Sequence, residues 1–248
     1  MQDPAEQLAD IERVHALGRE TGIPATWTQL VVTAKSIPLV DQLLEQAERT
    51  QAEGPGVFPQ ASPRPFDVNL SFESTPLFRF QPAWHELVQA TPAEKRRLLG
   101  DAKWRREARE QLEAPGPCMF PRDSPEQILV TGAPGDGQAR WLGQSLATIM
   151  QERDLPMSDV LADLLLDNDL VPEITMVDLS NEDPEQVARL IKSPHVLCAA
   201  SDAGAHAQMF CGAGDATLLL TRYVRERGDL GLPEAVRRLT SELADFFG

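Results

Sequence analysis

The sequence predicts an α/β fold with a parallel sheet covered by helices, and three observations predict it. Short β-branched runs alternate with stretches of helical apolar periodicity along the 248 residues, the pattern of strand–helix units. An apolar run, His195-Val196-Leu197-Cys198-Ala199-Ala200, stops abruptly at Ser201-Asp202, as a buried parallel strand does where it reaches a functional edge. About four clear strand–helix units are visible, whereas a closed eight-stranded barrel needs eight in roughly 250 residues. The expectation is a partial TIM-like (β/α) barrel with long insertions.

In order, residues 3–20 carry Leu8, Ile11, Val14 and Leu17 at helical spacing and end at Gly22 and Pro24, a helix and its stop. TWTQLVV (26–32) reads as a strand, and 38–51 as an amphipathic helix broken by Gly54-Pro55-Gly56. VFPQASPRPF (57–66) is extended. The stretch 67–127 is the least regular, with aromatic residues Phe72, Phe78, Phe80 and Trp84 and a helix over about 82–98. Its basic cluster, KRRLLGDAKWRRE, has acidic neighbours and reads as a solvated helix face rather than a nucleic-acid patch. Pro115, Pro117, Pro121 and Pro125 mark a loop. ILVTG (128–132) is a strand, 145–154 and 158–169 are helices with Ser158 as an N-cap, EITMVDLS (173–180) is a strand and 183–191 a helix opened by Pro184. After the strand and turn of 195–206 come helices over 216–228 and 232–248.

Composition limits the function classes. A net charge of −15 and a pI near 4.7 repel a phosphate backbone, so nucleic-acid binding is disfavoured. No apolar run long enough for a membrane span occurs. The N-terminal stretch is acidic and amphipathic, unlike a signal peptide. Three cysteines, Cys118, Cys198 and Cys211, form neither a CxxC motif nor an even set for disulfides. The expected setting is the cytoplasm, with reduced thiols.

The segment SDAGAH (201–206) concentrates the chemistry. Asp202 stands at a strand end, small residues follow it, and His206 lies within reach of the same space. The stretch from 181 to 248, with its PHVL strand, SDAGAH turn, TLLLTRYVRERG helix and EAVRRLTSELADFFG, resembles the C-terminal barrel segment of the amidohydrolase family that contains D-aminoacylase. TWTQLVV, PQASPRP and QSLATIMQERDLPMSDVLADLLLDNDL agree more loosely. The resemblance implies a metal-dependent hydrolase acting on non-peptide C–N (amide) bonds, with one or two divalent metals, usually zinc, at the strand ends. In such a hydrolase a metal-bound water attacks the amide carbonyl. It assigns Asp202 as metal ligand and as the catalytic group that first takes and then returns a proton. An N-acylated amino acid is the implied small-molecule substrate. Arg64 is the candidate to pair its carboxylate, with Gln29, Gln60 and His206 facing the same space.

The chain also departs from that pattern. None of its four histidines, His15, His85, His195 and His206, forms the His-x-His pair with which the family begins. Thr28, Gln29 and Gln60 stand where strand-end ligands are usual. Residues 1–248 are therefore read as one partial barrel domain, without the N-terminal barrel half and the C-terminal β-domain, incomplete and inactive alone. Association of copies stays open.

Two rival classes remain. ILVTGAPGDGQARWLGQSLA places Gly132, Gly135 and Gly137 between a strand and a helix, as in nucleotide-binding turns of dinucleotide-dependent oxidoreductases. Its spacing is G-x-x-G-x-G rather than G-x-G-x-x-G, and no Walker lysine follows. The other rival is a non-catalytic, degenerate barrel that pairs with a partner.

Overall fold

A computed structural model describes residues 4–133, 139–199, 201, 209 and 213–248. In chain order the elements are α1 (Pro4–Thr21), β1 (Ala25–Thr28), α2 (Ile37–Ala52), β2 (Val57–Gln60), β3 (Val68–Leu70), α3 (Pro82–Gln89), α4 (Pro92–Gly100) and α5 (Ala102–Glu113). They continue with β4 (Ile128–Gly132), α6 (Leu146–Arg153), α7 (Met157–Asp167), β5 (Glu173–Met176), α8 (Pro184–Lys192) and α9 (Asp215–Leu218). A π-helix over Leu219–Glu226 prolongs α9, and α10 (Leu232–Leu239) and α11 (Ser241–Phe247) end the chain.

Local chemistry explains where the helices break. The helix read over 82–98 is two, because Thr91 caps α4: its hydroxyl accepts from Glu94 N, the Glu94 carboxylate accepts from Thr91 N, and Pro92 follows. This capping box satisfies the orphan amides of a new helix start. Asp101 caps α5 through Trp104 N (2.7 Å), and Asp183 caps α8 through Glu185 N (2.8 Å). Ser158, expected as an N-cap, lies instead in the first turn of α7, buried, with Pro156 at the cap. The proline fixes the entry to the helix there.

The chain divides into two compact units. The first comprises Gln2–Phe66, Leu179–Ala207 and Cys211–Gly248 and is called the parallel unit. In it β1 runs parallel to β2, with Ala25 opposite Val57 and Thr28 opposite Gln60. A parallel bridge joins Gln60 to Leu197. Its apolar core gathers Val40, Leu43, Val57, Val187, Leu190, Ile191, Val196, Leu219 and Tyr223.

The second unit comprises Asp67–Asp178 and Gln208–Phe210. Its three-stranded sheet has the order β3-β5-β4, and both pairings are antiparallel. ILVTG and the start of EITMVDLS are strands as expected, but they do not join the parallel sheet. The expectation of four strand–helix units in one parallel sheet is corrected accordingly. Burial alternates along β3, β4 and β5, a half-buried sheet of the kind antiparallel pairing favours. Among the described residues no helix is long and apolar enough to cross a membrane.

Candidate functional site

Parallel register carries the end of β1, the end of β2 and the segment Val196–Cys198 to one edge of the parallel unit. Beyond the paired strands, Leu30 N donates to Gln60 O (2.8 Å), Leu197 N to Pro59 O (2.9 Å) and Ala61 N to Leu197 O (2.9 Å). Gln29 and Gln60, both half-buried, thus sit at the edge toward which the segment Val196–Cys198 also runs. The strand expected over 195–200 is reduced, among the described residues, to the one bridge at Leu197. Gln60 donates its side-chain amide to Thr26 Oγ1 (3.1 Å), and Thr26 donates in turn to Phe58 O (2.7 Å). Asp202 and His206 lie outside the described residues.

Arg64 is held along one edge of its guanidinium. Its Nε donates to Asp215 Oδ1 (2.9 Å) and its Nη2 to Ala213 O (2.8 Å). Asp215 is buried, and its other oxygen accepts from Ser62 Oγ. Ser62 Oγ accepts from Arg64 N (3.1 Å). The loop after β2 is thereby tied to the start of α9, which favours the anchoring role of Arg64 at this position. A charge-assisted pair of this kind orients the guanidinium as well as the loop.

Asn181 fastens a second loop to the same place. Its Oδ1 accepts from Val32 N (2.9 Å), and its Nδ2 donates to Arg64 O (3.1 Å) and Ser62 O (3.3 Å). Asn181 N donates to Val32 O (2.7 Å). The residue has a positive φ of 58°, a conformation asparagine tolerates better than most residues. Tyr223, buried, donates to Pro63 O (3.2 Å), and burial raises its phenol pKa. The sequence reading missed Ser62, Asn181, Asp215 and Tyr223. Asn181 had one visible signal, its place just before an Asp-Pro helix start.

Arg238 anchors the turn between α8 and Leu197. Its side chain is 1% exposed and donates to Val196 O (3.0 Å), Lys192 O (3.0 Å) and Ser193 O (2.7 Å). The neighbouring Cys198 thiol is buried, which pushes its pKa up to about 11 even though the Arg238 charge opposes the shift. A thiol so placed is protonated at neutral pH and is no nucleophile.

The described histidines stand on separate segments, and His85 is exposed. His15 is buried in α1, His85 lies in α3, and His195 Nδ1 pairs with Gln51 Oε1 (2.8 Å). Among the described residues no group of three or more His, Cys, Asp or Glu side chains could hold a metal. These residues do not fit a metal centre. The basic cluster divides: Lys95, buried, donates to Phe72 O (2.6 Å) and Arg105 pairs with Asp163 (2.8 Å), whereas Arg96, Arg97, Lys103 and Arg106 are exposed, as a solvated helix face requires. The glycine turn has residues 134–138 outside the described set. The strand before it, β4, is antiparallel to its neighbour and α6 begins only at Leu146, unlike the parallel strand–turn–helix of a phosphate cradle.

No family model matches the chain. It is 30% identical over 224 residues to an uncharacterized protein of Mycobacterium bovis and to one of Mycobacterium tuberculosis, matching 87% of this chain and 36% of each relative. The chain thus spans about a third of the length of the curated relatives it matches. Among solved structures it resembles N-acyl-D-glutamate deacylase from Bordetella bronchiseptica, complexed with zinc and a phosphonate inhibitor. That match has a TM-score of 0.49 and 18% identity, over 97% of this chain and 39% of that one. It also resembles a D-aminoacylase, with TM-score 0.49 and 17% identity over 96% and 38% of the two chains. Likeness at that level fixes neither activity nor site residues for this chain.

Proposed function

We propose that the chain is a segment of a metal-dependent amidohydrolase of the N-acyl-amino-acid deacylase type, and that it does not turn over substrate on its own. The partial barrel of this reading is the parallel unit, with Asp67–Asp178 inserted in sequence between its β2 and α8. One observation supports the reading: the parallel bridge between Gln60 and Leu197 sets the segment Val196–Cys198, which precedes SDAGAH in sequence, alongside the end of β2, itself paired with β1. That is the geometry in which strand-end residues share one reaction space.

In this reading Asp202 is the catalytic carboxylate that accepts a proton from the attacking water and returns it to the leaving amine. A divalent metal, zinc by resemblance, would activate that water; its further ligands come from outside the described residues. Arg64 offers its guanidinium to the carboxylate of an N-acylated amino acid, with Asp215 fixing its orientation. Gln29, Gln60 and His206 are the remaining candidates to face substrate. Cytoplasmic residence belongs to the same proposal.

The test joins residues 179–248 to the remainder of a working D-aminoacylase in place of its matching stretch. The chimera is expected to fold, to retain zinc and to hydrolyse N-acetyl-D-amino acids. Asp202→Asn should lower its turnover roughly 10²–10⁴-fold, the usual contribution of a positioned acid–base group, with circular dichroism unchanged and zinc bound no more tightly than before. A folded, zinc-loaded chimera without hydrolysis, or one indifferent to Asp202→Asn, rejects the reading.

A further inference from the structure

The antiparallel unit holds a cavity of about 440 Å³ where its three strands end together. That volume lies in the range of small-molecule sites. Its floor is made by Leu70, Phe72 and Ile174, all buried side chains. Its mouth carries Thr131, Glu73 and Glu173, all exposed. The two carboxylates are the only charged groups among the described lining residues, and no lysine or arginine joins them.

A countercharge that Glu73 meets is committed elsewhere. Lys95 feels the charge of Glu73, but its ammonium is buried and donates to Phe72 O (2.6 Å), and burial lowers its pKa. Glu173 is placed by the backbone beside it. A Cβ at Gly132 would stand 2.6 Å from Glu173 Oε2, so the glycine, at the register shift between β4 and β5, is what lets the carboxylate lie there. The Thr131 hydroxyl is fixed against Thr175 Oγ1 (2.9 Å), which also bonds Asn69 Oδ1 (2.8 Å).

An apolar floor beneath a rim of like negative charge selects one kind of occupant. The two carboxylates set a negative field at the mouth, beside the polar groups of Asn69, Ser71 and Thr131. The floor, with Pro172 and the exposed Val171 at its side, gives a short hydrocarbon chain a surface to lie on. We propose that this cavity binds a small organic cation with an apolar tail, such as a primary ammonium group on a short alkyl chain. Anions of the same shape are repelled by the rim and by the net charge of −15. The inference is independent of the deacylase reading, since none of its residues belongs to the parallel unit.

The probe is n-hexylamine titrated into the 248-residue chain at neutral pH and low salt, with 1-hexanol and hexanoate as matched controls. Isothermal titration and amide chemical shifts follow binding. Hexylamine should bind at one site, at least tenfold more tightly than hexanol, with hexanoate weakest and with shifts centred on 69–73 and 170–174. The double variant Glu73→Gln/Glu173→Gln, both at exposed positions, should lose that tenfold preference while its circular dichroism stays unchanged. Absence of binding, parity between amine and alcohol, or amine binding unaltered in the double variant overturns the proposal. The last result would mean diffuse attraction to an acidic protein.

Discussion

The parallel unit secures its strand ends with polar side chains that reach backbone groups far away in sequence, whereas the antiparallel unit fills its interior with aromatic rings. In the first, Arg238 serves three carbonyls, Asn181 ties the loops after β1 and β2, and Asp215 gathers Ser62 and Arg64. In the second, Phe78 stacks on Trp84 (5.1 Å between ring centres) and on Phe120 (5.0 Å), and Trp84 meets Trp104 edge-on at 5.4 Å. The contrast follows from what each must do. Strand ends aligned at an open edge leave loop carbonyls and amides that need partners. A sheet with one covered face needs only volume behind it.

The largest expected effect tests the aromatic side of the comparison. Trp84 is fully buried, and its indole N–H donates to Ala108 O (3.1 Å). Trp84→Ala removes the centre of the ring cluster and orphans that carbonyl, for a loss of about 3–5 kcal/mol. Urea titration gives the magnitude, and amide exchange should locate the loss in α3 and α5. If protection falls equally in α8 and α10, the two interiors unfold as one and the contrast between them collapses.

The polar side is tested by Asn181. Asn181→Ala deletes one acceptor and two donor contacts and places an alanine at positive φ, costing about 2–4 kcal/mol. Asn181→Gly loses the same hydrogen bonds but accepts the backbone conformation, so it should recover about 1 kcal/mol of that loss. Paired urea midpoints separate the two contributions. Equal losses would show that the side-chain bonds alone matter, and a glycine as stable as wild type would show that they do not.

The two units also differ in how much of them could be read beforehand. Helices α1, α2, α6, α7 and α8 lie within a residue or two of the segments that predict them; α1, α2 and α8 bury a stripe at helical spacing, whereas α7 is covered nearly all round. The presence of β1 and β2 was legible too, which brought Gln29 and Gln60 into consideration, but β1 stops at Thr28 rather than running to 32, and β2 covers only Val57–Gln60 of the extended stretch 57–66. β3, only three residues long with burial buried–exposed–buried, is too short to register as a pattern. The antiparallel pairing of β4 and β5 was invisible, since alternation specifies a face and not a direction. The partners of Arg64 escaped for a related reason: Asp215 lies 151 residues away, and nothing local in Gly-Asp-Ala announces a buried carboxylate. Polar tethers are set by tertiary approach, and a single sequence does not record them.

The smallest expected effect concerns acid. Glu234, exposed on α10, accepts from Arg237 Nε and Nη2, both at 2.9 Å, and from Arg238 Nε at 3.3 Å. The hydrogen bonds from Arg237, aided by the charges of both arginines, lower its pKa from 4.5 to about 2. A carboxylate whose folded pKa is depressed contributes stability that is complete above its unfolded value and is lost as pH falls through the folded one. The melting-temperature gap between wild type and Glu234→Gln should therefore be constant above about pH 5. It should narrow between 4.5 and about 2, as protonation removes from wild type what the variant already lacks. Because the group is exposed, salt should shrink the gap as well. Arg238 keeps its three carbonyls in both proteins, so a gap that persists undiminished at pH 2 would mean that Glu234→Gln removes something other than the charge of the carboxylate.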